Sequence, residues 1–472
     1  MGELNLNRVE MPRQDPLERA GNFLEVALGY CEEEALSEAA RCIQCPKRSC
    51  TIGCPVGVDI PEFIKALRDG NMAEAARILK SKNKLPGICG RVCPQETQCE
   101  KACVLSRRGA PVAIGRLERY VADWERRLGD GSVPQKLPPT GRKVAVVGSG
   151  PAGLTCAADL ALAGHEITIF EALHIAGGVL IYGIPEFRLP SAVIEHEVNF
   201  IKALGVEVKL DWVVGNTTAV DELFAQGYHA VFLGTGAGLP MFLDVPGESF
   251  SGIYSANEFL TRINLMHAGE PGFATPLSMG SHVAVIGGGN VAMDAARCAL
   301  RAGAEHVSIV YRRTQAEAPA RAEELENALE EGIAFRALTN PVRFLATARG
   351  WVSAMECLKM ELGEPDAKGR RRPVPIPKSN FIINVDTVVI ALGTTPNPLV
   401  PATTPGLATN PEGTIVVDGQ GRTTKLGVWA GGDAATGAAT VISAMGAGRT
   451  AAASINAYLN NPIGWEGPRS SS

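Results

Sequence analysis

KVAVVGSGPAGL, residues 143–154, decides the fold. An apolar run leads into Gly148-Ser149-Gly150-Pro151-Ala152-Gly153, and a helical pattern follows. This is G-x-G-x-x-G in its proper setting, between a strand and a helix. The first glycine permits the tight turn, the second lets the backbone approach a pyrophosphate, and the third allows close helix–strand packing. The helix N-terminus then offers unpaired N–H groups to the anion. The next strand, HEITIFEA (165–172), ends in an acid, Glu171, placed to hydrogen-bond ribose hydroxyls. The competing reading, a glycine turn without a ligand, leaves the strand, the helix and the acid unexplained.

A second copy begins at HVAVIGGGNVAMD (282–294). In Gly287-Gly288-Gly289-Asn290-Val291-Ala292 an alanine takes the last glycine's place, which the fingerprint tolerates. Its following strand, HVSIVYRR (306–313), ends in Arg312-Arg313 instead of an acid. Positive charge there suits the 2′-phosphate of NADP(H), although two solvated surface arginines would read the same way. The first turn therefore suits a nucleotide with a free ribose, such as FAD, and the second suits NADP(H). Two more strands, AVFLGTGA (230–237) and DTVVIALGTTPN (386–397), end in glycine and flank the second copy. A last strand, turn and helix fill 428–455, where Gly432-Asp433 places a carboxylate suited to flavin hydroxyls. Alone, Gly-Gly-Asp is nonspecific. The order predicts nesting: an FAD domain over 141–257 and 391–472, with an NADP(H) domain inserted over 258–390.

Upstream lies a different composition. Nine of the twelve cysteines fall between Cys31 and Cys103. They form Cys42-x2-Cys45-x4-Cys50-x3-Cys54-Pro55 and Cys89-x3-Cys93-Pro94-x5-Cys99-x3-Cys103. The first run resembles the bacterial ferredoxin run with a longer middle gap, in which the cysteine before proline serves the other cluster. Two runs of four suit two [4Fe–4S] clusters with crossed ligation; structural zinc is the alternative. Cys31 reads as a packed free thiol, and Cys156, Cys298 and Cys357 as core residues. Between the cysteines, PEFIKALRDGNMAEAARILK and GRLERYVADWERRL are amphipathic and predict helices. A helical head over 1–135 and a Gly/Pro-rich linker over 129–141 complete the division.

Composition fits an α/β nucleotide-binding chain: 52 glycines in 472 residues, above the usual share of about 7%, with aromatics at 6%. A net charge of −5 gives no basic field for nucleic acid. No apolar run reaches the roughly 18 residues of a membrane span, and the polar N-terminus lacks a signal peptide's apolar core. A cytoplasmic protein is expected. Flavin disulfide reductases carry a close cysteine pair in the body; none is visible here, so electrons must leave the flavin by another route.

The motifs CIQCPKRSCTIGCPVGVDIPEF, CGRVCPQETQCEKAC, VAIGRLERY, VGSGPAGL, GGVLIYGIPEFRLP, VIGGGNVAMD, YRR, GEPDAKGRRR and AGGD, in this order, resemble the NADPH-dependent glutamate synthase small-subunit family from about Cys42 to the C-terminus. The resemblance implies an α/β fold: a helical Fe–S N-terminal domain followed by two nested Rossmann-like dinucleotide-binding domains. It implies hydride exchange between NADP(H) and FAD, with electrons passed through the clusters to a partner. It implies one cluster on Cys42, Cys45, Cys50 and Cys103, and another on Cys54, Cys93, Cys99 and Glu118, with Cys89 a bystander. It also implies that Gly177, Gly178 and Leu180 cradle the flavin, with Arg188 in the same segment as a flavin-proximal candidate. Within the family, CPVGVDIPEF and PVAIGRLERYVADW look most like the large subunit of NADH-dependent ferredoxin:NADP oxidoreductase, a flavin-bifurcating transhydrogenase. That member would partner a small ferredoxin-reductase-type flavoprotein and ferredoxin. The alternatives are the glutamate synthase small subunit itself, with its large glutamine-cleaving partner, and a sulfide dehydrogenase-type subunit.

Overall fold

The computed structural model describes residues 5–129, 133–270, 272–365, 369–461 and 467–468. Parts of the expected linker and of GEPDAKGRRR lie outside them. The head packs five main helices: α1 (Glu32–Ala40), α2 (Ile60–Arg68), α3 (Met72–Lys82), α4 (Pro86–Val92) and α5 (Ile114–Arg127). The amphipathic stretch expected around 61–80 is two helices. Gly70, at φ +77°, turns the chain between them, and Asn71 caps α3 by accepting the Glu74 N–H at 3.2 Å. The chain from 133 to 141 is exposed and without regular structure.

The body begins with β1 (Lys143–Val147), α6 (Pro151–Leu162) and β2 (Glu166–Phe170). After α7 (Ser191–Ala203) come β3 (Glu207–Lys209) and β4 (Ala230–Leu233). A second domain follows: β5 (Ile253–Ser255), β6 (His282–Ile286), α8 (Asn290–Arg301), β7 (His306–Val310), α9 (Ala322–Glu330) and β8 (Ala334–Arg336). An antiparallel excursion is next, β9 (Thr339–Ala346), β10 (Val352–Pro365), β11 (Arg371–Pro375) and β12 (Phe381–Asn384), before β13 (Thr387–Ile390). The chain then returns through β14 (Val428–Ala430) and α10 (Val441–Asn460).

The first sheet has the order β14-β4-β1-β2-β3 and the second β5-β13-β6-β7-β8, both parallel throughout. In each, the chain runs one way from the first glycine-ended strand and then jumps back to its other side. That leaves a crevice at the carboxyl ends of β1/β4 and of β6/β13, where open α/β sheets bind ligands. A boundary at 257/258 cuts after β5, yet β5 pairs with β13 in the second sheet; the second domain starts before Ile253. The four-stranded antiparallel sheet was not expected.

The head shares one hydrophobic core with the first domain, since Cys89, Cys93 and Leu117 pack in the same cluster as Leu154, Trp429 and Met445. Val26 and Phe187 instead join the core of the second domain, with Met293 and Ile309. Among the described residues no helix is long and apolar enough to cross a membrane.

Candidate functional site

At the first crevice, Gly148 ends β1 with φ +96°. A Cβ there would sit 2.5 Å from the Gly234 carbonyl oxygen beyond β4, so only glycine closes this turn. A Cβ on Gly153 would lie 2.0 Å from the Gly148 oxygen, whereas one on Gly150 meets no protein atom within 4 Å. The three glycines thus divide the labour: two are filled by protein, and the middle one faces an opening. Pro151 starts α6, no side chain caps that helix, and Ala152 is buried beneath it.

Glu171 is buried at the end of β2. Its carboxylate accepts the Ser149 N–H at 2.8 Å, the Leu173 N–H at 2.9 Å and the Ser149 hydroxyl. The same hydroxyl oxygen accepts the Gly177 N–H at 2.9 Å. Ser149, an x position of the fingerprint, therefore ties the turn, the acid and the Gly177-Gly178 segment together. Only its fixed place in the motif could have signalled it. Gly178, at φ +56°, would put a Cβ 2.9 Å from Gly150 Cα. Leu180 is buried behind it. From the other side, Gly432 packs on Ala152, and Asp433 accepts the Ala439 N–H at 3.2 Å. Burial raises the Asp433 carboxyl above the usual range.

The second crevice repeats the scheme. A Cβ on Gly287 would lie 2.3 Å from the Ala391 oxygen beyond β13, and one on Gly288 would strike the Tyr311 ring at 2.6 Å. Gly289 precedes α8 without a side-chain cap, Val291 is exposed and Ala292 is in the core. The Asn290 side chain accepts the Arg321 N–H at 2.8 Å, and the Ala320 N–H reaches the Gly288 oxygen at 3.1 Å. Residues 320–321 are thereby held against the turn. The two arginines expected to act together separate: Arg312 is exposed, while Arg313 is buried and its Nε donates to the Arg371 oxygen at 2.8 Å. β11, which the sequence did not reveal, brings Arg371 to this corner.

The Arg188 side chain is only 7% exposed, so it is not a free surface arginine. Its guanidinium donates to Asp294 Oδ2 at 2.5 Å and stands 3.2 Å from Glu324 Oε1. Burial opposes its charge, but these two acids outweigh burial and raise its pKa. It thus joins the segment after Gly178 to α8 and α9 of the second domain.

In the head, Cys42, Cys45, Cys50 and Cys103 line one apolar cavity, walled by Ile60, Ile64 and Ile114. Burial raises the Cys42 and Cys50 thiols, Cys50 to about 11, and Cys103 acts electrostatically on both. A second group forms beside it: Cys93 and Glu118 act on Cys54, and Cys54, Cys93 and Glu118 on Cys99. Glu118 is not a solvated helix acid; it is buried in α5, and burial pushes its carboxyl up to about 7 while Asn83 donates to it at 2.7 Å. Among the described residues no three ligand-type side chains converge on a point fit for one metal ion. Cys31, expected to be packed, is exposed at the start of α1. Cys156, Cys298 and Cys357 are buried as expected.

One helix links these regions. In α10, a Cβ on Gly448 would lie 2.2 Å from the Ala152 oxygen, so α10 crosses α6 at backbone contact. Two residues earlier, Gly446 lies against Pro55, and Met445 Sδ is 3.4 Å from Cys89 Sγ. The helix that follows the Asp433 turn therefore touches the second thiol group.

Two glycine-turn crevices on parallel sheets, beside a cysteine-lined head, define an NAD(P)H-dependent flavin and iron–sulfur oxidoreductase. The family described as pyridine nucleotide-disulphide oxidoreductase matches residues 142–448, and that of the dihydropyrimidine dehydrogenase domain II, 4Fe-4S cluster, matches 19–129. The chain is 36% identical over 463 residues to the glutamate synthase [NADPH] small chain of Escherichia coli, covering 97% of this chain and 98% of that one. It is 40% identical over 434 residues to the NADP(+)-dependent formate dehydrogenase subunit beta of Moorella thermoacetica, covering 87% of this chain but only 60% of that protein's length. Mycobacterium tuberculosis FprA in complex with NADPH shares the body's fold, with a TM-score of 0.58 at 21% identity over 69% of this chain and 85% of that one. The chain belongs to the NADPH-dependent glutamate synthase small-subunit family.

Proposed function

We propose that the chain is the nicotinamide-handling subunit of an electron-transfer complex, exchanging hydride between NADP(H) and FAD and feeding a partner through two [4Fe–4S] clusters. The observation that carries this reading is α10, which joins the flavin-side Gly432-Asp433 turn to the Cys54-Pro55 turn and Cys89. The residues fit the groups. Gly150 faces an opening where a pyrophosphate would lie, with Glu171 and Asp433 as hydroxyl partners and Leu180 behind. Gly287–Ala292 would hold the nicotinamide dinucleotide, with Arg312 toward its 2′-phosphate. Cys42, Cys45, Cys50 and Cys103 line one apolar cavity and would hold the first cluster. Cys54, Cys93, Cys99 and Glu118 would hold the second cluster. When bound, the cofactors supply the redox chemistry, and the protein supplies position and electrostatics. No side-chain acid or base is assigned to the hydride step.

For the partner, the texture of CPVGVDIPEF and PVAIGRLERYVADW favours the bifurcating arrangement, with a small ferredoxin-reductase-type flavoprotein and ferredoxin. End-to-end agreement with the Escherichia coli small chain favours a glutamate synthase large subunit. Anaerobic purification of the native complex, with mass spectrometry of the co-purifying subunit, decides. A small flavoprotein together with NADPH-linked ferredoxin reduction supports the first; a large glutamine-cleaving subunit supports the second. A colourless protein without flavin or iron would overturn both.

A further inference from the structure

The second thiol group holds five candidate ligands for a cluster with four corners. The fifth, Cys89, lies in α4 one turn before Cys93, and the Cys93 N–H donates to the Cys89 oxygen at 3.1 Å. Residues four apart on a helix share a face, and both Cys93 and Glu118 lie close enough to act electrostatically on Cys89. Asn83, itself fully buried, serves two of the five. Its Nδ2 donates to Glu118 Oε1 at 2.7 Å, and its Oδ1 is 3.6 Å from Cys89 Sγ. The Leu85 N–H, donating to the same Oδ1 at 2.9 Å, fixes the amide's orientation. A carboxylate and a thiol thus flank one immobile side chain, both out of solvent.

We propose that Cys89 is a reserve ligand, so that the iron corner beside Asn83 can be held by either the Glu118 carboxylate or the Cys89 thiolate. This rests on the two-cluster reading above. In the exchange the Fe–O bond to Glu118 breaks, the Fe–S bond to Cys89 forms, and the Cys89 thiol proton passes to Glu118. No electron is gained or lost. The buried site carries one ligand charge before and after, so the exchange adds no uncompensated charge to a dry region. Thiolate is the softer donor and suits cluster iron better than carboxylate. Glu118, once protonated, keeps its carbonyl oxygen for the Asn83 amide.

The test uses the full-length protein, purified anaerobically, as wild type, Glu118→Ala, Cys89→Ser and the double variant, with Glu118→Cys as the all-thiolate reference. Iron, bound FAD, circular dichroism and EPR of the reduced protein are read on each. Wild type should hold about eight irons, four per cluster. Both single variants should keep them, and Glu118→Ala should shift one cluster's EPR signal to the form seen in Glu118→Cys, where all four ligands are thiolates. The double variant should lose that signal and up to about four irons while retaining FAD. Glu118→Ala losing as much iron as the double variant would overturn the reserve role alone. A wild type with about four irons would remove the second cluster and this proposal with it. Should the double variant not fold, Glu118→Ala still decides: full iron with a shifted signal supports exchange, and a lost or unshifted signal refutes it.

Discussion

Gly150 and Gly153 are three residues apart, and a side chain at each should fail differently. Gly150 has an extended backbone that valine adopts, and its Cβ would meet open space. Gly150→Val should therefore leave the thermal stability of the flavin-free protein within about 0.5 kcal/mol of wild type and abolish FAD retention. Full flavin occupancy would mean that the first turn is not the flavin site. Gly153→Ala should instead lower the apoprotein's stability by about 1–3 kcal/mol, the cost of overpacking, since its Cβ would lie 2.0 Å from a carbonyl oxygen. Glu197 on α7 makes a different prediction. Its Oε1 accepts the Gly87 N–H at 2.8 Å, its Oε2 has no hydrogen-bond partner, and burial pushes the carboxyl up to about 7. The folded protein then binds a proton that the unfolded chain releases near 4.5. That contribution is complete below the unfolded value and is lost as pH rises through about 7, on the order of 3 kcal/mol by pH 8. Glu197→Gln should flatten this slope in urea titrations at pH 5 and 8, while parallel slopes in both proteins would refute it.

At the scale of elements, the two βαβ units were legible because each is local: strand, turn, helix and strand are contiguous, and periodicity reports them directly. β5 was not, since its three residues belong to the second sheet only through pairing with β13, more than a hundred residues on. The excursion β9–β12 escaped for a related reason. β10 has one half covered by β9 and β12 and an outer half with mixed exposure, so no clean alternation marks it. What β11 contributes is functional. It holds Arg313 through the Arg371 oxygen and leaves Arg312 as the exposed arginine of the pair at the end of β7. Arg312→Ala should raise KM for NADPH about 10- to 100-fold, the worth of a charged hydrogen bond, and leave KM for NADH unchanged. Arg313→Ala should lower the melting temperature and affect both cofactors alike. Equal effects of Arg312→Ala on the two cofactors would refute its 2′-phosphate role. Spacing alone likewise could not show that Cys103 lines one cavity with Cys42, Cys45 and Cys50, because only the packing of the head brings the two runs together.

For the whole molecule the decisive feature is how the second domain is held. The proposed hydride exchange would need a nicotinamide and a flavin brought together from two crevices on two sheets, which makes the angle between domains part of the chemistry. The chain before α1 is tied into the second domain. Arg19, 1% exposed, donates to Glu331, Asn327 and Glu330 at 3.0, 2.9 and 2.6 Å, all three at the end of α9 or just beyond it. Arg301 on α8 reaches back to the Asn22 oxygen at 2.7 Å, and Phe23 packs at a tilt against Phe187 with ring centroids 6.2 Å apart. Arg188 adds a further tie through Asp294 and Glu324. Glu331 is itself anchored within the second domain: burial would raise its carboxyl, but hydrogen bonds from Arg297 and Arg301 take it down to about 2. Arg19→Ala removes one of three cations from a buried acid that keeps the other two. It should cost about 2–3 kcal/mol, below the usual loss for an acid left wholly unpaired. The flavin crevice is untouched, so FAD content should stay at the wild-type level. A second domain free to swing should instead slow flavin reduction by NADPH in stopped-flow and open sites in residues 240–280 to limited proteolysis. Unchanged flavin reduction in a variant of reduced stability would show that the N-terminal segment stabilises the second domain without setting its angle.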